Sequence, residues 1–194
     1  MDRATEVSAH IVIDRDGAVY EVVDCLNGAA KRAWHAGKSR YEVSRGSERV
    51  HIEGFNDRSI GIELVNLNGN IFPYTEAQYS SLFALLEVLK GLYPNLSSPD
   101  AIVGHEQIAG FRGKCDPGRL FEWERLYSVC FPHLGLPERR PLCSEAMAGR
   151  IRDMLRLLGI ESNAHSSEVS VPAHIPPRLF GLLNSLCEAA LSRE

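Results

Sequence analysis

A mixed α/β fold, a central mixed β-sheet flanked by helices with a small helical appendage at the C-terminal end, is what three features of this 194-residue sequence predict. Residues 9–14 (AHIVID) and 18–23 (AVYEVV) are strand-like runs joined by Arg15-Asp16-Gly17. Asp-Gly between such runs is the strongest short-range hairpin signal. Residues 59–65 (SIGIELV) alternate with a period of two, which puts Ile60, Ile62 and Leu64 on one face. From Thr75, the capping box Thr75-Glu76-Ala77-Gln78 opens a helix. Its stripe of Tyr79, Leu82, Phe83, Leu86, Leu89 and Tyr93 keeps helical spacing until Pro94 ends it.

Composition narrows the partners. Hydrophobic residues make up 44% and charged residues 24% of the chain, ordinary values for a globular protein with one sizeable core. The net charge of −4 gives no basic field for nucleic acid or anionic lipid, and a monomer is expected. No apolar run is long enough to span a bilayer. The five cysteines (Cys25, Cys115, Cys130, Cys143 and Cys187) contain no CxxC spacing, so neither a disulfide framework nor a cysteine metal site is indicated. The opening MDRATEVSAH carries no apolar signal core. The chain as written is therefore expected in the cytoplasm, with a periplasmic or secreted location if a leader lies upstream.

Between the sheet elements, residues 27–49 read as mostly loop, with an aromatic-histidine knot at residues 33–37 (AWHAG). Lys31, Arg32, Lys38, Arg40, Arg45 and Arg49 make that loop basic, either as a solvated surface or beside an anionic glycopeptide. Glu63 falls in the middle of a strand that otherwise reads as buried. Desolvation there is expected to raise its pKa toward the range useful to a general acid or base. The alternative is a carboxylate on a solvent-facing sheet surface.

Residues 101–103 (AIV) read as a short buried strand that places His105 at a strand end. The stretch 104–118 (GHEQIAGFRGKCDPG) then gathers a histidine, a lysine, a cysteine and an aspartate before the Asp116-Pro117-Gly118 turn. Imidazole and carboxylate are good ligands for Zn²⁺, and Lys114 is placed to hold positive charge beside an oxyanion. A surface loop with a turn-capping histidine is the plainer alternative. A further helix begins around Phe121-Glu122-Trp123. The main domain is expected over residues 1–131, followed by a proline-marked linker over 132–143. Residues 144–194 are expected to form a helical appendage, an amphipathic helix over 144–158 and an apolar helix over 179–191 joined by a loop, with His133, His165 and His174 as ordinary linker or surface histidines.

Five ordered blocks now carry a resemblance: VSAHIVIDRDG, KRAWHAGKS, NDRSIGIELVN, YTEAQY and IVGH…IA…K-x-DPG. Over about residues 6–126 the chain resembles the zinc-dependent N-acetylmuramoyl-L-alanine amidases, which include phage lysozyme-type amidases and peptidoglycan recognition proteins. The resemblance implies a bound Zn²⁺ and hydrolysis of the amide between N-acetylmuramic acid and L-alanine in peptidoglycan or its muropeptides. It implies His105 and Asp116 as metal ligands and Glu63 and Lys114 as catalytic residues. Trp34, His35, Asn56 and Arg112 are implied as substrate-binding positions.

The family's first zinc histidine lies on a strand well before the VSAH block, and the chain as written is expected to lack it. His10, His35, His51 and Cys115 are the available substitutes, each less expected than no third ligand. The interval from His105 to Asp116 is also one residue longer than the family's usual one, with AGFRGK where a shorter AP-x-R-K is typical. A muropeptide-binding protein without catalysis is the alternative function.

Overall fold

The computed structural model describes residues 8–135, apart from 46, 47, 68, 70, 71, 113 and 115. The expected appendage and all but the first four residues of the expected linker lie outside the described residues. Strand β1 (Ile11–Ile13) pairs antiparallel with β2 (Val19–Glu21), in the register Ile11 to Glu21 and Ile13 to Val19. Two backbone bonds close the turn as the Asp-Gly signal predicts, Asp14 N–H to Ala18 O at 2.8 Å and Gly17 N–H to Asp14 O at 2.9 Å. On its other side β1 pairs parallel with β5 (Ile62–Leu64), Val12 facing Glu63, giving a mixed sheet of order β2-β1-β5.

Helix α1 (Glu76–Leu92) covers one face of this sheet. Thr75 and Gln78 form the expected capping box, and Tyr79, Leu82, Leu86 and Leu89 are buried together with Ile11 and Ile13. Polar pins set the docking. Thr75 Oγ1 donates to Arg15 O at 2.7 Å, Ser81 Oγ donates to Gly17 O at 2.6 Å, and Gln78 Nε2 donates to Val65 O at 2.9 Å. The start of the helix is thus tied to the hairpin turn and its first buried polar side chain to the parallel strand. Helix α3 (Trp123–Cys130) crosses α1 and buries Leu126, Tyr127 and Cys130, with Glu122 N–H bonded to Tyr79 Oη at 2.8 Å.

The structure departs from the sequence reading in three places. The stretch 27–49 is not mostly loop in its second half: β3 (Arg40–Arg45) and β4 (Glu48–Glu53) form a second hairpin, Tyr41 facing Ile52 and Glu42 facing His51. Charges dominate this segment and hide its alternation, yet Tyr41 and Ile52 turn inward onto Phe55, Ile108 and Ala109. That packing supplies what the sequence pattern lacks. Residues 101–103 form no strand. A 3₁₀ turn, Pro99–Ala101, leads instead to α2 (His105–Ala109), so His105 opens a helix. Glu63 is exposed rather than buried. With Ile62 and Leu64 packed against the core under α1, the pleat sends Glu63 to the opposite face.

Thr75→Ala removes both the cap and the bond to Arg15 O. It is expected to lower unfolding stability by about 1–2 kcal/mol in urea titration, with no change in the denaturant slope.

Candidate active site

The face of the sheet turned away from α1 carries His10, Val12, Gly61 and Glu63, because these alternate with the buried Ile11 and Ile13 and the half-buried Ile62. His10 is fully used: Nδ1 accepts from Gly61 N–H at 3.0 Å and Nε2 bonds Lys31 O at 2.7 Å. It is a structural residue with no lone pair left for a metal. His35 packs edge-on to it at 5.2 Å between ring centroids. The ring of His35 lies directly on Gly61, where a Cβ would overlap it, and its Nε2 bonds Ser59 Oγ at 2.8 Å. Glycine is needed two residues before Glu63 because the imidazole occupies the side-chain position.

The segment bearing Trp34 and His35 is pinned by Asn56. That side chain is buried, and its Oδ1 accepts from Ala36 N–H at 2.7 Å. Trp34 is 43% exposed, with the Arg32 guanidinium 4.0 Å over its ring. Arg112, in the 3₁₀ turn Gly110–Arg112 after α2, donates from Nη2 to Ala36 O at 2.9 Å.

The 104–118 stretch folds back on itself. Glu106 N–H bonds Asp116 O at 2.8 Å, and Tyr74 Oη donates to Pro117 O at 2.8 Å. The result is a direct meeting of His105 Nδ1 and Asp116 Oδ2 at 3.0 Å. Protein atoms crowd the Asp116 carboxyl and push its pKa up, but the hydrogen bond and charge of His105, with help from Lys114, outweigh this and hold it below the usual carboxylate range. Its side chain is still 60% exposed and open to a ligand. The other ring nitrogen of His105, Nε2, is buried with no hydrogen-bond partner, as is His35 Nδ1. Burial first, then the charges of His10 and His105, lower the His35 pKa to about 4 against the opposing pull of the Ala33 carbonyl, so His35 is neutral at pH 7.

An orphaned imidazole nitrogen beside an ionised carboxylate is donor chemistry that suits zinc. Among the described residues, no group of three His, Cys, Asp or Glu side chains is arranged to hold a metal. His51 lies on the β3–β4 hairpin and bonds Glu53 at 3.0 Å. Cys115 is outside the described residues. Sequence reasoning missed Ser59 and Tyr74, whose roles are hydrogen bonds to distant atoms and leave no spacing signal.

A family pattern described as N-acetylmuramoyl-L-alanine amidase matches residues 1–119, and the chain belongs to that family. It is 44% identical over 123 residues to the 1,6-anhydro-N-acetylmuramyl-L-alanine amidase AmpD of Enterobacter cloacae, covering 63% of this chain and 57% of that protein. The protein of the same name from Haemophilus influenzae is 43% identical over 122 residues, covering 63% and 58%. That from Escherichia coli is 43% identical over 119 residues, covering 61% and 56%. The chain thus spans little more than half the length of these relatives. No solved structure matches it. No described helix is long and apolar enough to cross a membrane.

The depressed His35 pKa carries a stability consequence. Between about pH 6.5 and about 4 the unfolded chain takes up a proton that the folded chain resists, so stability falls as pH falls through this window. Comparing urea midpoints at pH 7 and pH 5, His35→Asn is expected to show a smaller loss on acidification than the unsubstituted protein.

Proposed function

We propose that this chain is a zinc amidase that cleaves the bond between N-acetylmuramic acid and L-alanine in muropeptides. The 1,6-anhydro form named for its relatives is the first substrate to try. The observation that carries the reading is the His105–Asp116 contact of 3.0 Å, with a buried, unpartnered nitrogen on the same ring. His105 and Asp116 would hold Zn²⁺, whose chemistry at such a site is to polarise the scissile carbonyl and acidify a water. Glu63, exposed on the sheet face that also holds His35, is within reach of solvent and takes the role of proton carrier from water to the leaving amine. Lys114, whose charge already acts on Asp116, steadies the oxyanion. Trp34 and Arg112 contact the substrate at the rim, while His35 and Asn56 shape its floor. The cytoplasm is the location that goes with this reading.

A binding protein without turnover is the second reading, favoured by the lack of a three-ligand group among the described residues. Zinc content by elemental analysis and chromatographic detection of released anhydro-N-acetylmuramic acid separate the two. Glu63→Gln is expected to cut kcat by about 10²–10⁴-fold with little effect on KM. His105→Ala and Asp116→Ala are expected to lose bound zinc. Muropeptide binding that survives chelator, with no product formed, would replace the amidase reading with the second one.

A further inference from the structure

Several described surface cations sit against a carboxylate: Lys31 with Asp24, Arg32 with Asp57 at 2.6 Å, Lys90 with Glu87 at 2.6 Å, and Arg125 with Glu76 at 2.5 Å. Lys38, Arg40 and Arg112 have no such partner among the described residues. Glu53, which faces Arg40 across the β3–β4 hairpin, accepts a hydrogen bond from His51 instead and feels Lys38 and Arg40 only through their charge. These cations are brought to one rim. The Arg112 guanidinium rests against Gly37, where a Cβ would meet Nη2 at 2.9 Å. Lys38 and Arg40 are exposed on either side of the buried Ser39, and so share a side of the chain. The Arg40 Cζ lies 4.5 Å over the ring of Phe111, which is 47% exposed.

This rim adjoins the candidate site at two points. Phe111 and Arg112 directly follow the helix that His105 opens, and Arg112 bonds the carbonyl of Ala36, next to His35. Guanidinium groups pair with carboxylates through parallel N–H donors, and a stacked guanidinium loses little freedom on binding because its plane is already fixed. An exposed phenyl ring beside them offers apolar contact to a peptide backbone or aliphatic side chain.

We propose that Arg40, Phe111 and Arg112 form a shelf for the carboxylate-bearing peptide limb of the substrate, making this chain prefer peptide-bearing fragments over sugar linked to alanine alone. The inference rests on the muropeptide reading for its choice of ligand, but its first test needs no turnover. The probe is the capped dipeptide N-acetyl-L-alanyl-D-glutamate, with two carboxylates, set against its uncharged diamide in calorimetric titration of the full chain.

The dicarboxylate is expected to bind about tenfold more tightly, a gap that narrows when salt is raised from about 50 to about 300 mM. Arg40→Gln and Phe111→Ala are each expected to shrink that gap, whereas the equal charge change Lys31→Gln, at an exposed cation already paired with Asp24, leaves it in place. Equal affinity for the two probes, or a gap insensitive to Arg40→Gln, overturns the shelf. With muropeptide substrates, Arg40→Gln is expected to raise KM several-fold for peptide-bearing fragments at nearly constant kcat. A chain that binds the dicarboxylate through Arg40 yet cleaves nothing keeps the shelf and loses the amidase reading.

Discussion

One backbone hydrogen bond governs the site: Glu106 N–H to Asp116 O at 2.8 Å. It joins the first turn of α2 to the far end of a loop and thereby brings two side chains eleven residues apart within 3.0 Å. The donor belongs to the first turn of a helix, where N–H groups have no partner inside the helix. Satisfying it with the Asp116 carbonyl serves the helix and the site at once. Tyr74, half-buried with its pKa pushed well up first by desolvation and then by the charge of Asp116, holds the next carbonyl in line through Pro117 O. The loop is therefore fixed from both sides by groups that a buried environment makes costly to release.

The second constraint is a division of labour between the faces of a three-stranded sheet. α1 takes one face with an apolar stripe and polar pins, leaving the other to imidazoles and a carboxylate. His10 and His35 illustrate how closely placed histidines can differ. His10 has both nitrogens committed to backbone groups and is part of the scaffold. His35 keeps one nitrogen without a partner and is held neutral by burial and by neighbouring histidines. A cation there would face low dielectric and like charge together, so the neutral ring is the form compatible with a nearby metal or substrate.

The β3–β4 hairpin adds a feature that the central sheet does not require. Its inner residues pack on α2, so the helix opened by His105 is braced against Tyr41 and Ile52 on one flank and against the 33–37 segment through Arg112 on the other. On its outer side Arg40 reaches the ring of Phe111 at the rim of the site. A segment that reads as solvated loop in one dimension thus has two jobs in three: support for α2 and a guanidinium held at the rim.

By itself the sequence determined the elements whose signals are local. Asp16-Gly17 specified the first hairpin, Thr75 and Gln78 the start of α1, and the Leu82–Leu86–Leu89 stripe the face it buries. The ordered motif blocks were equally legible and led to the family. Only the tertiary structure decided that Glu63 faces solvent, that His105 opens a helix and that residues 40–45 and 48–53 pair as strands. Each of these turns on contacts between residues far apart in the chain. A pleat has two faces and the pattern of one strand cannot say which is covered; a charged hairpin becomes a hairpin only when α2 is there to take its inner side.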